Sequence, residues 1–259
     1  MKRVLVLLFG VVNYLCFLGV FLYAIGFIGG FLTPTSLDGP RSTPLGAALA
    51  IDASLLLLFG LQHSVMARPA FKRRWTRCIP APIERSTYVL FTNLALGLLF
   101  WQWRPLGGTI WDVQTPTLRA ALWGLFAFGW LTVLITTFLI NHFDLFGLRQ
   151  VWLYFRGRPY THLPFVTPGP YRFVRHPLYV GWLTAFWATP TMTAAHLTFA
   201  LGMTAYILIA IQFEERDLVR LHTGYADYRQ RTPMLLPRLR PMQTAASPSP
   251  IAKVSVEQT

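Results

Sequence analysis

Charge is what this 259-residue chain has least of: Asp and Glu together number 10, and only 13% of its residues are charged. Soluble domains carry about a quarter charged residues, so an ordinary water-exposed globule is not the leading class. Cysteine is nearly as scarce. Cys16 sits inside an apolar run and Cys78 in a basic loop, which gives neither a disulfide framework nor metal-ligand spacing. Several signatures are absent: a glycine-rich dinucleotide loop, a phosphate-binding loop ending in Gly-Lys-Ser/Thr, His-Glu-x-x-His and Gly-x-Ser-x-Gly. Any cofactor must be held without a soluble Rossmann or phosphate-loop unit. Nor does an internal repeat mark an inverted-repeat transporter.

What the chain has is apolar length. Hydrophobic residues make up 54% of it, with 9 Trp. Apolar runs cover Val4–Leu32, Leu45–Met66, Tyr88–Trp103 and Leu118–Ile140, then the pair Leu178–Thr189 and Thr191–Phe213 around Pro190. The first four reach or approach the ~20 residues that cross a bilayer core. The expected architecture is an all-α integral membrane protein of five to six transmembrane helices, with a C-terminal helical hairpin and a cytoplasmic cofactor-binding region. The first run follows Lys2 and Arg3 but is too long for a signal-peptide core, so it reads as a retained helix. The membrane domain is expected over residues 1–241, with a cofactor-binding core at about 163–237. Residues 242–259, rich in Ser, Pro and Ala, read as a disordered tail.

The formal net charge of +13 raises nucleic acid as a partner, and its distribution removes it. With six spans and a cytoplasmic N-terminus, all but Arg41, Arg104 and Arg119 of the 23 Lys and Arg fall on one side. That is the positive-inside pattern, so both termini are expected on the cytoplasmic side of the membrane. The expected partners are the lipid bilayer and a small substrate, with no nucleic acid and no obligate protein partner.

The unusual polar residues gather at the cytoplasmic ends of the runs. Gln62 and His63 lie near the end of the second; Glu84, Arg85, Ser86 and Tyr88 open the third; Asn141, His142 and Asp144 close the fourth. Arg175 and His176 open the hairpin, and Glu214 and Glu215 close it. Protonatable groups at one membrane depth are costly unless they line a shared cavity. Each also has a plainer reading. Glu84–Arg85 can be an interfacial charge pair, His63 a core histidine, and Arg175–His176 snorkelling residues ahead of a helix-starting Pro. Asp52 reads as structural, and His196 and His222 show no partners. The loop Asn141–Arg175 is long but rich in aromatics, which argues for order. Gly224 reads as the stop of an extended last helix.

Gly169-Pro-Tyr171, Arg175-His176-Pro177-Leu-Tyr179-Val-Gly181, Glu214-Glu215-x-x-Leu218 and Gly224-Tyr225-x-x-Tyr228 together resemble the core of the integral-membrane methyltransferases. That superfamily includes isoprenylcysteine carboxyl methyltransferase, phospholipid methyltransferases and NnrU-like proteins. Leu61-Gln-His-Ser, Ile83-Glu-Arg-Ser-Thr-Tyr88 and Asn141-His-Phe-Asp144 are similar to the bacterial methanethiol S-methyltransferases. The resemblance implies S-adenosylmethionine held by Tyr171, Arg175, His176, Tyr179, Gly181, Glu214, Glu215, Leu218, Tyr225 and Tyr228, with no metal. It implies a small thiol as acceptor, activated among His63, Glu84, Arg85, Tyr88, His142 and Asp144. With a thiol pKa near 8.5, only a few per cent is thiolate at pH 7, so a base or cationic surroundings are needed. A non-catalytic NnrU-like protein and an isoprenoid or lipid acceptor are the alternatives.

Overall fold

The computed structural model describes residues 1–222 and 224–237. Ten α-helices follow one another among these residues. The long ones are α1 (Lys2–Gly29), α2 (Leu45–Ala67), α4 (Glu84–Gln102), α5 (Pro116–Ile140) and α9 (Ala194–Leu221). Shorter ones are α3 (Pro69–Trp75), α6 (His142–Leu145), α7 (Leu148–Phe155), α8 (Pro177–Trp187) and α10 (Tyr225–Arg231). The tail 242–259 lies outside the described residues.

Four of these helices, α1, α2, α5 and α9, are long and apolar enough to cross a membrane. Their outward faces carry Leu8, Leu15, Leu57, Leu61, Leu131, Ile135 and Ile209 exposed. Such a belt is stable against lipid and not against water. The third apolar run, α4, is 19 residues long, so about 28 Å, and lies against both α1 and α2. The hairpin departs from expectation. At 11 residues, α8 spans about 16 Å, half of a ~30 Å hydrocarbon core, so six full-length spans do not form.

The fold is also not purely helical. Thr109–Asp112 (β1) pairs antiparallel with Thr191–Thr193 (β2), closing the end of the molecule opposite the polar motifs. His196, expected to have no partner, is buried here. Its Nε2 lies 2.9 Å from the Phe186 carbonyl and its Nδ1 3.4 Å from Asp38, because the β1–β2 end folds the 30–44 loop onto the start of α9. Asp52 behaves as the structural residue expected, accepting from the backbone N–H of Arg104 at 2.9 Å just past the end of α4.

Membrane helices gain little from hydrophobicity against one another, so close contact through small residues decides the packing. The most extensive helix pair is α5 with α8. There Gly129 and Gly181 face each other so closely that a Cβ on Gly129 would stand 2.6 Å from the Ala185 backbone N, and one on Gly181 2.9 Å from the Gly129 O. The α2–α9 seam is reciprocal: Tyr206 of α9 lies on Gly60 of α2, and Leu56 of α2 on Gly202 of α9. An aromatic core of Phe27, Phe100, Trp103, Phe186 and Phe199 fills the centre.

Candidate functional site

Two polar clusters and one collar stand at the end of the bundle away from the strands. The first cluster starts where Pro177 begins α8 in the first-turn position that suits a residue without an N–H. That start leaves Arg175 and His176 just outside the helix, facing α9. Glu215 is the anchor, its side chain only 7% exposed. It accepts from Arg175 Nε at 2.6 Å and lies 3.0 Å from His176 Nε2 and 3.5 Å from Arg229 Nε. Arg175 also donates to the carbonyls of Arg229, at 2.9 Å, and Thr232. Backbone N–H groups of Arg175 and His176 reach Pro233 and Met234 at 2.8 and 3.1 Å. The segment after α10 is thereby sewn onto the start of α8.

Glu214 is different in kind. Its side chain is 41% exposed, and its one direct partner among the described hydrogen bonds is the Tyr179 hydroxyl, which donates at 2.9 Å. Tyr171, Tyr179, Tyr88, Tyr206 and Tyr225 all lie within electrostatic reach of it. Burial and then the neighbouring Glu214 hold the Tyr171 hydroxyl well above the usual phenol range. Burial likewise pushes Tyr228 up to about 12, so these rings are neutral at pH 7. A half-open carboxylate ringed by tyrosine faces attracts a cation with aromatic parts. Tyr225 and Tyr228 pack edge-on against Phe165, and Tyr228 donates to the Tyr171 carbonyl, tying the 165–172 loop to α10. Leu218 sits half-buried one turn beyond Glu214. Gly181 turns its Cα toward α5, which gives it a packing role at the foot of this cluster.

The second cluster joins α2 to α4. The Tyr88 hydroxyl lies 2.7 Å from His63 Nε2 and 3.0 Å from its Nδ1, and Thr92 Oγ1 lies 3.2 Å from Nδ1. Thr92 donates its own proton to the Tyr88 carbonyl at 3.0 Å. The imidazole is thus held between two hydroxyls, one from each of two neighbouring turns of α4. The Arg85 guanidinium lies 4.8 Å above the Tyr88 ring and donates to the Leu145 carbonyl at 2.6 Å. Arg68 and Arg85 both lie within electrostatic reach of His63. Lys72 on α3 faces the same group of cations, its ammonium pushed below the usual lysine range by burial and then by Arg85. Glu84 occupies the first turn of α4, where a negative charge suits the helix dipole, within reach of Lys72. Arg68 pairs with Asp217 at 2.9 Å and bridges α2 to the far end of α9.

His142 and Asp144 stand apart, in the collar formed by α6 and α7. Asn141 takes a left-handed conformation, φ 95°, which turns the chain sharply out of α5. Both nitrogens of His142 are engaged, Nε2 with Tyr14 at 2.9 Å and Nδ1 with Thr137 at 2.8 Å. Its ring stacks on Phe138 at 4.1 Å and meets Phe17 and Phe146. Burial lowers its basicity. Asp144 pairs with Arg149 at 2.9 Å and accepts from Tyr160 at 3.2 Å. The expected thiol-side residues therefore divide: His63, Arg85 and Tyr88 meet, Glu84 flanks them through Lys72, and His142 and Asp144 hold the collar.

Tyr206, Thr92, Lys72 and the Arg68–Asp217 pair carry no signal in the motifs. Tyr206 alone had one available: it lies eight residues before Glu214, about two turns back along the same helix. Among the described residues no group of His, Cys, Asp and Glu could hold a metal ion.

The family model described as phospholipid methyltransferase matches residues 120–223, from α5 to the end of α9. A helical multi-pass bundle with this match and with the relatives that follow is an integral-membrane methyltransferase. The methanethiol S-methyltransferase of Crocosphaera subtropica is 57% identical over 238 residues, 92% of this chain and 93% of its own. That of Mycobacterium tuberculosis is 56% identical, covering 92% of this chain and 98% of its own. Methanethiol S-methyltransferase 2 of Bradyrhizobium diazoefficiens is 51% identical, covering 96% and 97%. The chain belongs to this family of methyltransferases. No solved structure matches it.

Proposed function

We propose that the protein methylates methanethiol to dimethyl sulfide with S-adenosylmethionine as donor, in a bacterial inner membrane with both termini cytoplasmic. The observation that carries this reading is the presence of two unlike groups at one end of the bundle: the His63–Tyr88 pair, and the half-open Glu214 held by Tyr179. The family relation supports it. The donor fits the second group: Glu214 offers a carboxylate to ribose hydroxyls or an ammonium, and the tyrosine faces suit adenine and a sulfonium. Tyr171, Tyr179, Glu214 and Leu218 would line that pocket. Arg175, His176, Glu215, Tyr225 and Tyr228 would hold its walls, with Gly181 fixing α8 beneath.

When bound, S-adenosylmethionine supplies a methyl group on a sulfonium, whose S–C bond breaks as the thiolate sulfur forms its own. His63 takes the thiol proton, with Tyr88 and Thr92 orienting the ring. Arg85, Arg68 and Lys72 make the surroundings cationic, which favours thiolate over thiol. The apolar walls exclude water, so a small anion and a sulfonium meet without full hydration shells. Glu84 tempers the cationic cluster from the start of α4, while His142 and Asp144 hold the collar that receives Arg85.

The test is a headspace assay. Purified protein with methanethiol and S-adenosylmethionine should release dimethyl sulfide. His63→Ala should lower turnover by about a hundredfold or more while leaving donor affinity within about twofold, as expected for a base acting only in the transition state. Undiminished turnover in His63→Ala removes the base assignment, and a wild type that methylates no thiol removes the function.

A further inference from the structure

The geometry points to Tyr206 as the residue that sets the size of the acceptor: its ring forms the membrane-side floor of the thiol subsite and holds the enzyme to one- and two-carbon thiols. This rests on the proposed thiol methylation. Tyr206 projects from α9 across the seam to α2, where Gly60 gives it room. A Cβ at Gly60 would stand 3.0 Å from its Cδ2. Its ring meets Phe59 edge-on at 5.6 Å and the His63 imidazole edge-on at 6.4 Å. Phe59 stacks under His63 at 5.3 Å, so the two aromatics form a corner beneath the base.

Tyr206 also lies within electrostatic reach of Tyr88, Tyr179 and Glu214, one from the acceptor side and two from the donor side. A thiol sulfur between the His63 imidazole and a methyl donor beside Glu214 must point its carbon substituent somewhere. Arg68, Arg85 and Lys72 occupy the polar end, which leaves the membrane side, where the Tyr206 ring stands. A methyl or ethyl group fits against a fixed ring; a longer chain must displace it. The ring is fixed because α9 and α2 interlock twice, Tyr206 on Gly60 and Leu56 on Gly202. Each further methylene in an apolar pocket changes transition-state binding by roughly 10- to 200-fold, so one such ring is enough to set a size limit.

The experiment compares kcat/KM for methanethiol, ethanethiol and butanethiol by methyl-donor consumption. Tyr206→Ala should raise the butanethiol-to-methanethiol ratio by about tenfold or more. Tyr206→Phe should leave the ratio unchanged, because the ring and not the hydroxyl sets it. Gly60→Ala makes the ring give way by a few tenths of an ångström and should change the ethanethiol-to-methanethiol ratio. A folded Tyr206→Ala with an unaltered ratio overturns the inference while leaving methanethiol methylation standing, and so does a Gly60→Ala that leaves both ratios as in the wild type. A wild type inactive on every thiol overturns both.

Discussion

Adjacent carboxylates on α9 should fail in opposite ways when neutralised. Glu215→Gln keeps shape and one acceptor oxygen but removes the charge that Arg175 and Arg229 share and beside which His176 lies. Arg175, with its side chain 11% exposed, then keeps a buried positive charge with only neutral oxygens for partners. Breaking a buried ion pair by removing one partner costs about 3–5 kcal/mol. The retained amide oxygen and the two carbonyls offset part of this, so about 2–3 kcal/mol is the working figure, roughly 30- to 140-fold at tenfold per 1.4 kcal/mol. The loss falls on the docking of α10 and residues 232–234 against the start of α8. Glu214→Gln keeps an acceptor for the Tyr179 hydroxyl and removes the charge of a carboxylate that is already 41% exposed, so its cost to folding is below about 1 kcal/mol. Hydrogen exchange on the detergent-solubilised protein separates the two. Glu215→Gln should speed exchange in α10 by about thirtyfold or more. Glu214→Gln should leave exchange unchanged and weaken S-adenosylmethionine binding instead. If both variants lose binding with native exchange everywhere, the division into a structural and a ligand-facing carboxylate is wrong.

Further outcomes follow from other contacts. Gly129→Leu places side-chain atoms where even a Cβ would stand 2.6 Å from backbone, so it should abolish monodisperse protein on size exclusion, whereas Gly124→Leu, with open space around it, should not. His142 has a basicity lowered by burial, so the folded state disfavours its charged form. Its stabilising contribution is present above the unfolded value near 6.5 and is lost as pH falls toward the lower folded value. The melting temperature should therefore drop between pH 7 and 5, and His142→Gln should flatten that slope; an equally steep slope in the variant would rule His142 out as its source. Asn141→Val forces a β-branched residue into φ 95° and should cost about 1–3 kcal/mol, seen as a lower melting temperature that Asn141→Gly does not share.

The site was legible from sequence wherever a short motif already carried its partners in order. Arg175-His176-Pro177 and Glu214-Glu215 are such a case, since a hairpin brings its two ends together whatever its details. Their distinct jobs were not legible, because burial separates two adjacent glutamates and adjacency in sequence says nothing of burial. His63 and Tyr88 were named without their contact, which depends on how α2 and α4 rotate about their axes. His142 looked equivalent to His63. The turn at Asn141, which swings the α6–α7 collar onto α1, sets it instead between Tyr14 and Thr137, away from the α2–α4 contact.

Composition and apolar run length by themselves determined that this chain lives in a membrane, because a chain with so little charge and so many long apolar stretches has no stable arrangement in water. The order of the polar motifs determined the methyltransferase class. Tertiary structure decided the rest: that α8 is half a span, that strands close the opposite end, that Gly129 and Gly181 touch, and that Tyr206 lies beneath His63. Those are consequences of helix rotation and close approach, which arise between segments far apart in the chain and leave no local pattern in it.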